Sequence, residues 1–356
     1  MPRITIGMPV YQADHYLEAA VRSHLAQTYG DFEIIISDNG STDQTETVAR
    51  DLAASDARVR YVRHDSNRGA IWNLNFVASQ AAGEFFKWSA HDDLIAPDFL
   101  AQCVAHMEAD AACVLCFSRV TRIDANGETI ADSLLTESER DGEGKTLGRS
   151  SSVHRRLRDV LLGGSWGIRS NGLIRASAMR ETSPLLPYFG SEKVLVAELL
   201  LRGTYHELPE KLFLQRIHAA QSSNLASAKE LQEFCDPTRR PTPALHHLRF
   251  ARAYARAIRR ASMSWSQRAA CHWWLLRYLV QPEKWWRIVT RLMGGSAMKG
   301  GSHDLLQRIE HARSESASPS NSERGQAPSK QESVVPFGVN SPRATAIGEP
   351  VGENIH

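Results

Sequence analysis

Over residues 4–10 the apolar side chains Ile4, Ile6, Met8 and Val10 alternate with smaller or polar neighbours, the period-two signature of a half-buried strand. From there the pattern switches between periods. Helical spacing covers about 14–26, 42–54 and 70–82, and short apolar runs over 32–37, 59–62 and 85–89 read as strands. Such alternation predicts an α/β fold with a mostly parallel central sheet and helices on both faces. A helix over about 97–109, strands over 112–118 and 120–124 and a turn at Ala125-Asn126-Gly127 follow. The polar, acidic stretch 128–152 reads as a mobile surface loop, a candidate lid. Beyond it are predicted a helix near 153–162, a strand region over 166–175 and a helix over about 192–202.

These elements divide the chain into an α/β domain over 1–223, a helical extension over 224–312 and, from 313 to 356, a Ser-, Pro-, Glu- and Gly-rich tail with few aromatics that should be disordered. The extension changes the electrostatic picture. The whole 356-residue chain carries a formal charge of only +2, yet residues 245–300 hold eleven Lys and Arg against the single acid Glu283, with five of the eight tryptophans. That mixture suggests helices lying at an anionic bilayer surface. Packing against a neighbouring domain or a second subunit is an equal alternative. No recognisable nucleic-acid module accompanies it, so no nucleic-acid partner is expected. No apolar run reaches 18 residues, and the amino terminus enters a strand at once, so the expectation is a cytoplasmic protein, with the inner membrane face as its peripheral station. The five cysteines form no even framework and sit in apolar runs, which predicts buried free thiols.

The chemistry concentrates where strands end. Asp92 and Asp93 follow the apolar run Phe85-Phe86-Lys87-Trp88. In open α/β sheets ligands bind beyond the carboxyl ends of strands, and hard cations such as Mg²⁺ or Mn²⁺ prefer carboxylate oxygens. A capped turn ahead of the next helix is the simpler alternative. A second strand, Glu33 to Ser37, runs into Asp38-Asn39-Gly40-Ser41-Thr42-Asp43, where Asp38 could accept hydrogen bonds from a base or ribose. No G-x-G-x-x-G or G-x-x-x-x-G-K stands at a strand-to-helix junction, which removes support for NAD and ATP chemistry. Glu192 stands in the first turn of a predicted helix, where a carboxylate also simply complements the dipole. Arg216 and His218 alternate, pointing to one side if extended.

Taken in order, Met8-Pro9-Val10-Tyr11, the segment from Ser23 to Tyr29, Asp38 to Asp43, Asn67-Arg68-Gly69, Asn75, Ala82-Gly83-Glu84 and Asp92-Asp93 resemble the inverting family 2 glycosyltransferases with the GT-A fold, over roughly residues 3–220. The resemblance implies that Pro9, Val10 and Tyr11 flank the nucleotide base, that Asp38 hydrogen-bonds it, and that Arg68 lies near the diphosphate. It further implies that Asp92, with Asp93 beside it, holds a divalent cation (Mn²⁺ or Mg²⁺), that Arg216 or His218 closes over the diphosphate or metal, and that Glu192 is the catalytic base. The implied partners are a nucleotide-sugar donor, with UDP- or dTDP-sugars favoured over GDP-sugars, and a glycan, lipid-linked or polysaccharide acceptor. Four positions depart from the family pattern: Gln12 follows Tyr11, Asn39 replaces an Asp, the usual Asp-x-Asp-Asp reads Ala90-His91-Asp92-Asp93, and Lys193 stands where an acidic partner or continuation of the Glu192 motif often occurs. A catalytically inactive nucleotide-sugar-binding scaffold of the same fold is the alternative these departures raise. A nucleotidyltransferase is disfavoured because residues 10–16 contain neither glycine nor lysine.

Overall fold

A computed structural model describes residues 1–135, 150–163, 168–225, 227–239, 246–281 and 301–317. The first half of the chain folds as its periodicity predicts: β1 (Ile4–Val10), α1 (Leu17–Leu25), β2 (Phe32–Asp38), α2 (Thr45–Ser55), β3 (Val59–Arg63), α3 (Ala70–Ser79) and β4 (Phe85–Trp88). The remainder comprises β5 (Leu94–Ile95), α4 (Phe99–Ala109), β6 (Cys113–Ile123), α5 (Val153–Leu162), β7 (Leu173–Arg175), α6 (Ala176–Arg180), α7 (Glu192–Leu200) and β8 (Thr204–Arg216), then α8 (Ala228–Cys235), α9 (His246–Arg260), α10 (Trp265–Leu279) and α11 (Gly301–Ala317).

One eight-stranded sheet runs in the order β3-β2-β1-β4-β7-β6-β8-β5. The pairs β3/β2, β2/β1, β1/β4 and β6/β8 are parallel, and only β7 and β5 run against the rest. The carboxyl ends of β1, β2, β4 and β8 therefore open on one edge of the sheet, where ligands bind in such folds. Alternation in β1 sorts the two faces. Ile4, Ile6, Met8 and Val10 enter a core shared with α1, α2 and α4, while on the opposite face α3, α5, α7, α9 and α10 form the second core. On that side Gly7 lets α3 come close: a Cβ there would stand 2.7 Å from Val77 Cβ.

Several expectations are corrected. The stretches 112–118 and 120–124 form the single strand β6, which bends through register shifts against β8. Of 166–175, only Leu173–Arg175 is strand, preceded by a 3₁₀ turn over Ile168–Asn171. At Gly172 the chain passes so near Cys116 that an added Cβ would lie 2.5 Å from its carbonyl oxygen. The expected mobile loop 128–152 begins instead as packed structure: Ile130 and Leu135 are buried with Ile217, Leu305 and Ile309. Its residues 136–149, the segments 164–167 and 282–300 with Trp166, Trp285 and Trp286, and the tail from 318 lie outside the described residues. All five cysteines are buried and free, as their surroundings predict.

Residues 1–313 form one compact unit and 314–356 a second. Within the first, Phe250, Tyr254, Ala257 and Ile258 of α9 and Cys271, Leu275 and Tyr278 of α10 enter the same core as α5 and α7. The opposite side of α10 leaves Trp265, Trp273, Leu276 and Val280 exposed. Among the described residues no helix is long and apolar enough to cross a membrane.

Candidate active site

The two-residue strand β5 builds the site. Leu94 pairs with Leu214 and Ile95 with Phe213, which carries the Asp92-Asp93 pair from the end of β4 to the end of β8. There the two carboxylates separate in role. Asp92 faces outward and its Oδ2 lies 2.9 Å from His218 Nε2. Asp93 turns inward and accepts the backbone N–H of Arg216 at 2.9 Å. Burial opposes ionisation of Asp92, but the hydrogen bond from His218 and the imidazole of His91 outweigh it and hold its carboxyl below the ordinary value. For Asp93, burial first and then the neighbouring Asp92 charge raise the pKa. Burial also lowers the pKa of His91, against the pull of Asp92.

Arg216 and His218 do reach the same place, as their alternation predicts. The Arg216 guanidinium is buried, however, and donates through Nε to the Asp92 carbonyl at 2.9 Å and through one terminal nitrogen to the carbonyls of Asp124 and Ala125, each at 3.1 Å. It fastens the Asp92 backbone to the Ala125-Asn126-Gly127 turn. Tyr16, at the start of α1, completes the group: its ring lies 4.6 Å from the Arg216 guanidinium carbon and 4.9 Å from the His218 ring. Nothing in the helical pattern around Tyr16 had marked it.

Beneath this group lies a buried polar layer that sequence reasoning also missed. Lys87, wholly buried in β4, donates to the carbonyls of Trp88 at 3.1 Å and Asn171 at 2.5 Å, and burial pushes its pKa down to about 8. His24 bridges Ala20 O at 2.8 Å and Ser89 Oγ at 3.0 Å; burial, then the Lys87 charge, push it down to about 3. A lysine inside the apolar run 85–88 was the available signal.

On the β1/β2 side the turn after β2 is held from within. Asp38 is fully buried; its Oδ1 accepts Ser41 N–H at 2.8 Å and its Oδ2 the Tyr61 hydroxyl at 2.7 Å. Asn39 donates to Asn67 Oδ1 at 2.9 Å and accepts Arg68 N–H at 3.1 Å. An aspartate could accept but not donate, so the departure at 39 joins the two loops. Gln12 Oε1 likewise accepts Thr42 N–H at 2.9 Å. Pro9 and Val10 end β1, and Tyr11 stands exposed beyond them. The exposed Arg68 lies with its guanidinium carbon 4.0 Å from the Trp72 ring centroid. Gly69, at φ 90°, could not carry a side chain, since an added Cβ would meet Cys235 O at the end of α8 at 2.5 Å.

Glu192 opens α7 and is half-buried. Burial raises its pKa, with the Lys193 charge opposing. The loop before it is clamped to α3 by Asn75, which donates to Leu185 O at 2.9 Å and accepts Leu185 N–H at 2.8 Å. Glu198, further along α7, is buried and committed to Ser183 through its N–H and hydroxyl.

Among the described residues no group of three or more His, Cys, Asp and Glu side chains is arranged to hold a metal. The Asp92–His218 pair nevertheless fits a Mn²⁺- or Mg²⁺-diphosphate: a carboxylate oxygen and an imidazole nitrogen supply two donors and leave other positions for phosphate oxygens.

The chain is similar to known glycosyltransferases. Residues 5–168 match glycosyl transferase family 2. An uncharacterised glycosyltransferase of Rickettsia bellii is 39% identical over 97 residues, 27% of this chain and 14% of that protein. One from Haemophilus influenzae is 22% identical over 231 residues, 63% of this chain and 68% of that protein. The chain spans only 14% to 29% of the Rickettsia relatives' length. Among solved structures, S. aureus TarS 1–349 in complex with UDP-GlcNAc superposes with a TM-score of 0.55 at 16% identity, covering 77% of this chain and 71% of that one.

Proposed function

Since the chain carries a family 2 glycosyltransferase domain of GT-A fold, we propose that it transfers a sugar from a nucleoside-diphosphate donor, a UDP- or dTDP-sugar, to an acceptor hydroxyl with inversion. The observation that carries this reading is the pairing of Asp92 with His218 across 126 residues of chain, at the carboxyl edge of the sheet. Pro9, Val10 and Tyr11 border the base, over the turn that Asp38 holds. Arg68 stands nearest the diphosphate. Asp92 and His218 hold the divalent cation, which when bound offsets charge building on the leaving diphosphate. Arg216 and Asp93 act from behind by fixing Asp92 and His218.

The acceptor oxygen attacks the anomeric carbon while the bond to the diphosphate breaks, its electron pair passing to the leaving phosphate oxygen. Glu192 takes the acceptor proton. A carboxyl whose pKa is raised by burial is a stronger base than an exposed one, and its position within hydrogen-bond reach decides its efficiency. Attack from the face opposite the leaving group inverts configuration. The acceptor is a glycan, a polysaccharide or a lipid-linked sugar. The exposed Trp265, Trp273, Leu276 and Val280 stripe of α10 supports a peripheral station on the inner membrane face.

The test is a panel of nucleotide sugars assayed for divalent-cation-dependent release of nucleoside diphosphate. One UDP- or dTDP-sugar should be turned over, and Asp92→Ala should remove metal-dependent donor binding with the thermal transition retained. Donor binding without turnover by the wild type, in the presence of candidate acceptors, would leave an inactive nucleotide-sugar-binding protein instead.

A further inference from the structure

Between α8, α9 and the loop ahead of α7 lies a cavity of about 400 Å³ whose polar lining is cationic: Arg239, Arg249, Arg252 and Arg256, with Tyr188 and Gln232. The three other lining residues are apolar, and none of the nine is an acid. Arg249, Arg252 and Arg256 recur at i, i+3 and i+7 of α9, with Ala253 between them, so one edge of the helix presents all three. Arg239 pairs with Asp236 at 3.0 Å. Arg252 and Arg256 are exposed, Arg249 is half-buried and Gln232 is buried. At the wall, burial raises the pKa of Tyr188, Arg249 and Arg256 act to lower it, and Glu192 acts with burial.

Like charges brought to one concave surface repel each other unless an anion joins them, and planar guanidinium groups match phosphate oxygens two at a time. The cavity also adjoins the proposed base. Ser191 N–H donates to Tyr188 O at 3.3 Å, and Glu192 follows directly as the first residue of α7. We propose that this cavity binds a phosphate or diphosphate group carried by the acceptor, and so presents a hydroxyl of that phosphorylated acceptor to Glu192. The bound group is a phosphate ester of a soluble acceptor or of a lipid headgroup; the recognition chemistry is the same. The assignment of the anion to the acceptor rests on the transferase reading. Binding of the anion does not.

The experiment titrates the full chain with inorganic pyrophosphate by calorimetry, without divalent cation. Saturable binding is expected, weakened about tenfold or more in Arg252→Gln/Arg256→Gln, only partly restored in Arg252→Lys/Arg256→Lys, which returns the charge without the two-point fork, and unchanged in Arg259→Gln, an exposed arginine outside the cavity. Absence of saturable binding, or an equal loss in Arg259→Gln, overturns the proposal, the latter by showing diffuse attraction. Displacement of pyrophosphate by phosphatidylglycerol vesicles, and not by phosphatidylcholine vesicles, identifies the lipid source; failure to displace it identifies a soluble phosphorylated acceptor. Donor hydrolysis by the wild-type protein, measured in parallel, tests the transferase reading alone, so either reading can fail without the other.

Discussion

Single residues here divide into those that meet ligand and those that hold them in place. In the proposed reaction Glu192 belongs to the first group, and Glu192→Gln would keep its size and hydrogen bonding while removing the proton acceptor. Turnover should fall by roughly 10² or more with donor affinity little changed, a split between kcat and KM read by steady-state kinetics. His24 belongs to the second. Its folded pKa of about 3 lies below the ordinary 6.5, so the unfolded chain takes up the proton first. The stability it contributes is complete above about pH 6.5 and is lost as the pH falls towards 3, at up to about 1.4 kcal/mol per pH unit for one proton. Lys87, the charged group beside it, keeps its proton throughout that range because its pKa of about 8 lies above it. Urea unfolding between pH 7 and pH 4 should show a steeper acid loss in the wild type than in His24→Gln.

At the scale of elements, β1 and α3 depend on one missing side chain. A Gly7→Ala methyl would meet Val77 Cβ at 2.7 Å and Cγ2 at 2.8 Å, both on the rigid body of α3. Overpacking of this kind costs about 1–3 kcal/mol, and here it would displace the helix whose Asn73 donates to Ser37 O at 2.7 Å and whose Asn75 holds Leu185. A lower urea midpoint with an unchanged slope is the expected result. The β1 to β4 half was legible because each strand is an apolar run of ordinary length between helical patterns. By contrast β8, a 13-residue strand with Glu210 and Lys211 in its middle, and the two-residue β5 owe their form to their partners and left no periodic signal. The site divides in the same way. Asp92, His218 and Glu192 stood out by residue type and position, but the inward turn of Asp93 and the backbone duties of Arg216 depend on β5 pairing with β8. Tyr16 and His24 look like ordinary helix residues until the sheet edge brings Arg216 and Ser89 against them.

For the whole molecule, the helices after residue 223 are core and not ornament. Phe250, Tyr254, Ile258, Leu275 and Tyr278 are buried against α5 and α7, and full burial of such side chains contributes roughly 1.5–3 kcal/mol each. Together they rival the net stability of an ordinary domain, about 5–15 kcal/mol. A fragment ending at residue 223 should therefore show no cooperative thermal transition, whereas the chain through 313 should show one. The close approach of Gly69 to the end of α8 then acquires a thermodynamic meaning. The same short helix that closes on Gly69 supplies Gln232 to the arginine cavity, and Arg239 lies just beyond its end. A movement of α8 on filling the cavity would reach Gly69 as well, and would then change the free energy of filling a nucleotide site beside it. Linkage makes that cooperativity reciprocal: whatever factor pyrophosphate applies to nucleotide affinity, nucleotide must apply to pyrophosphate affinity. Two titrations, each repeated with the other ligand saturating, should return one common factor different from unity.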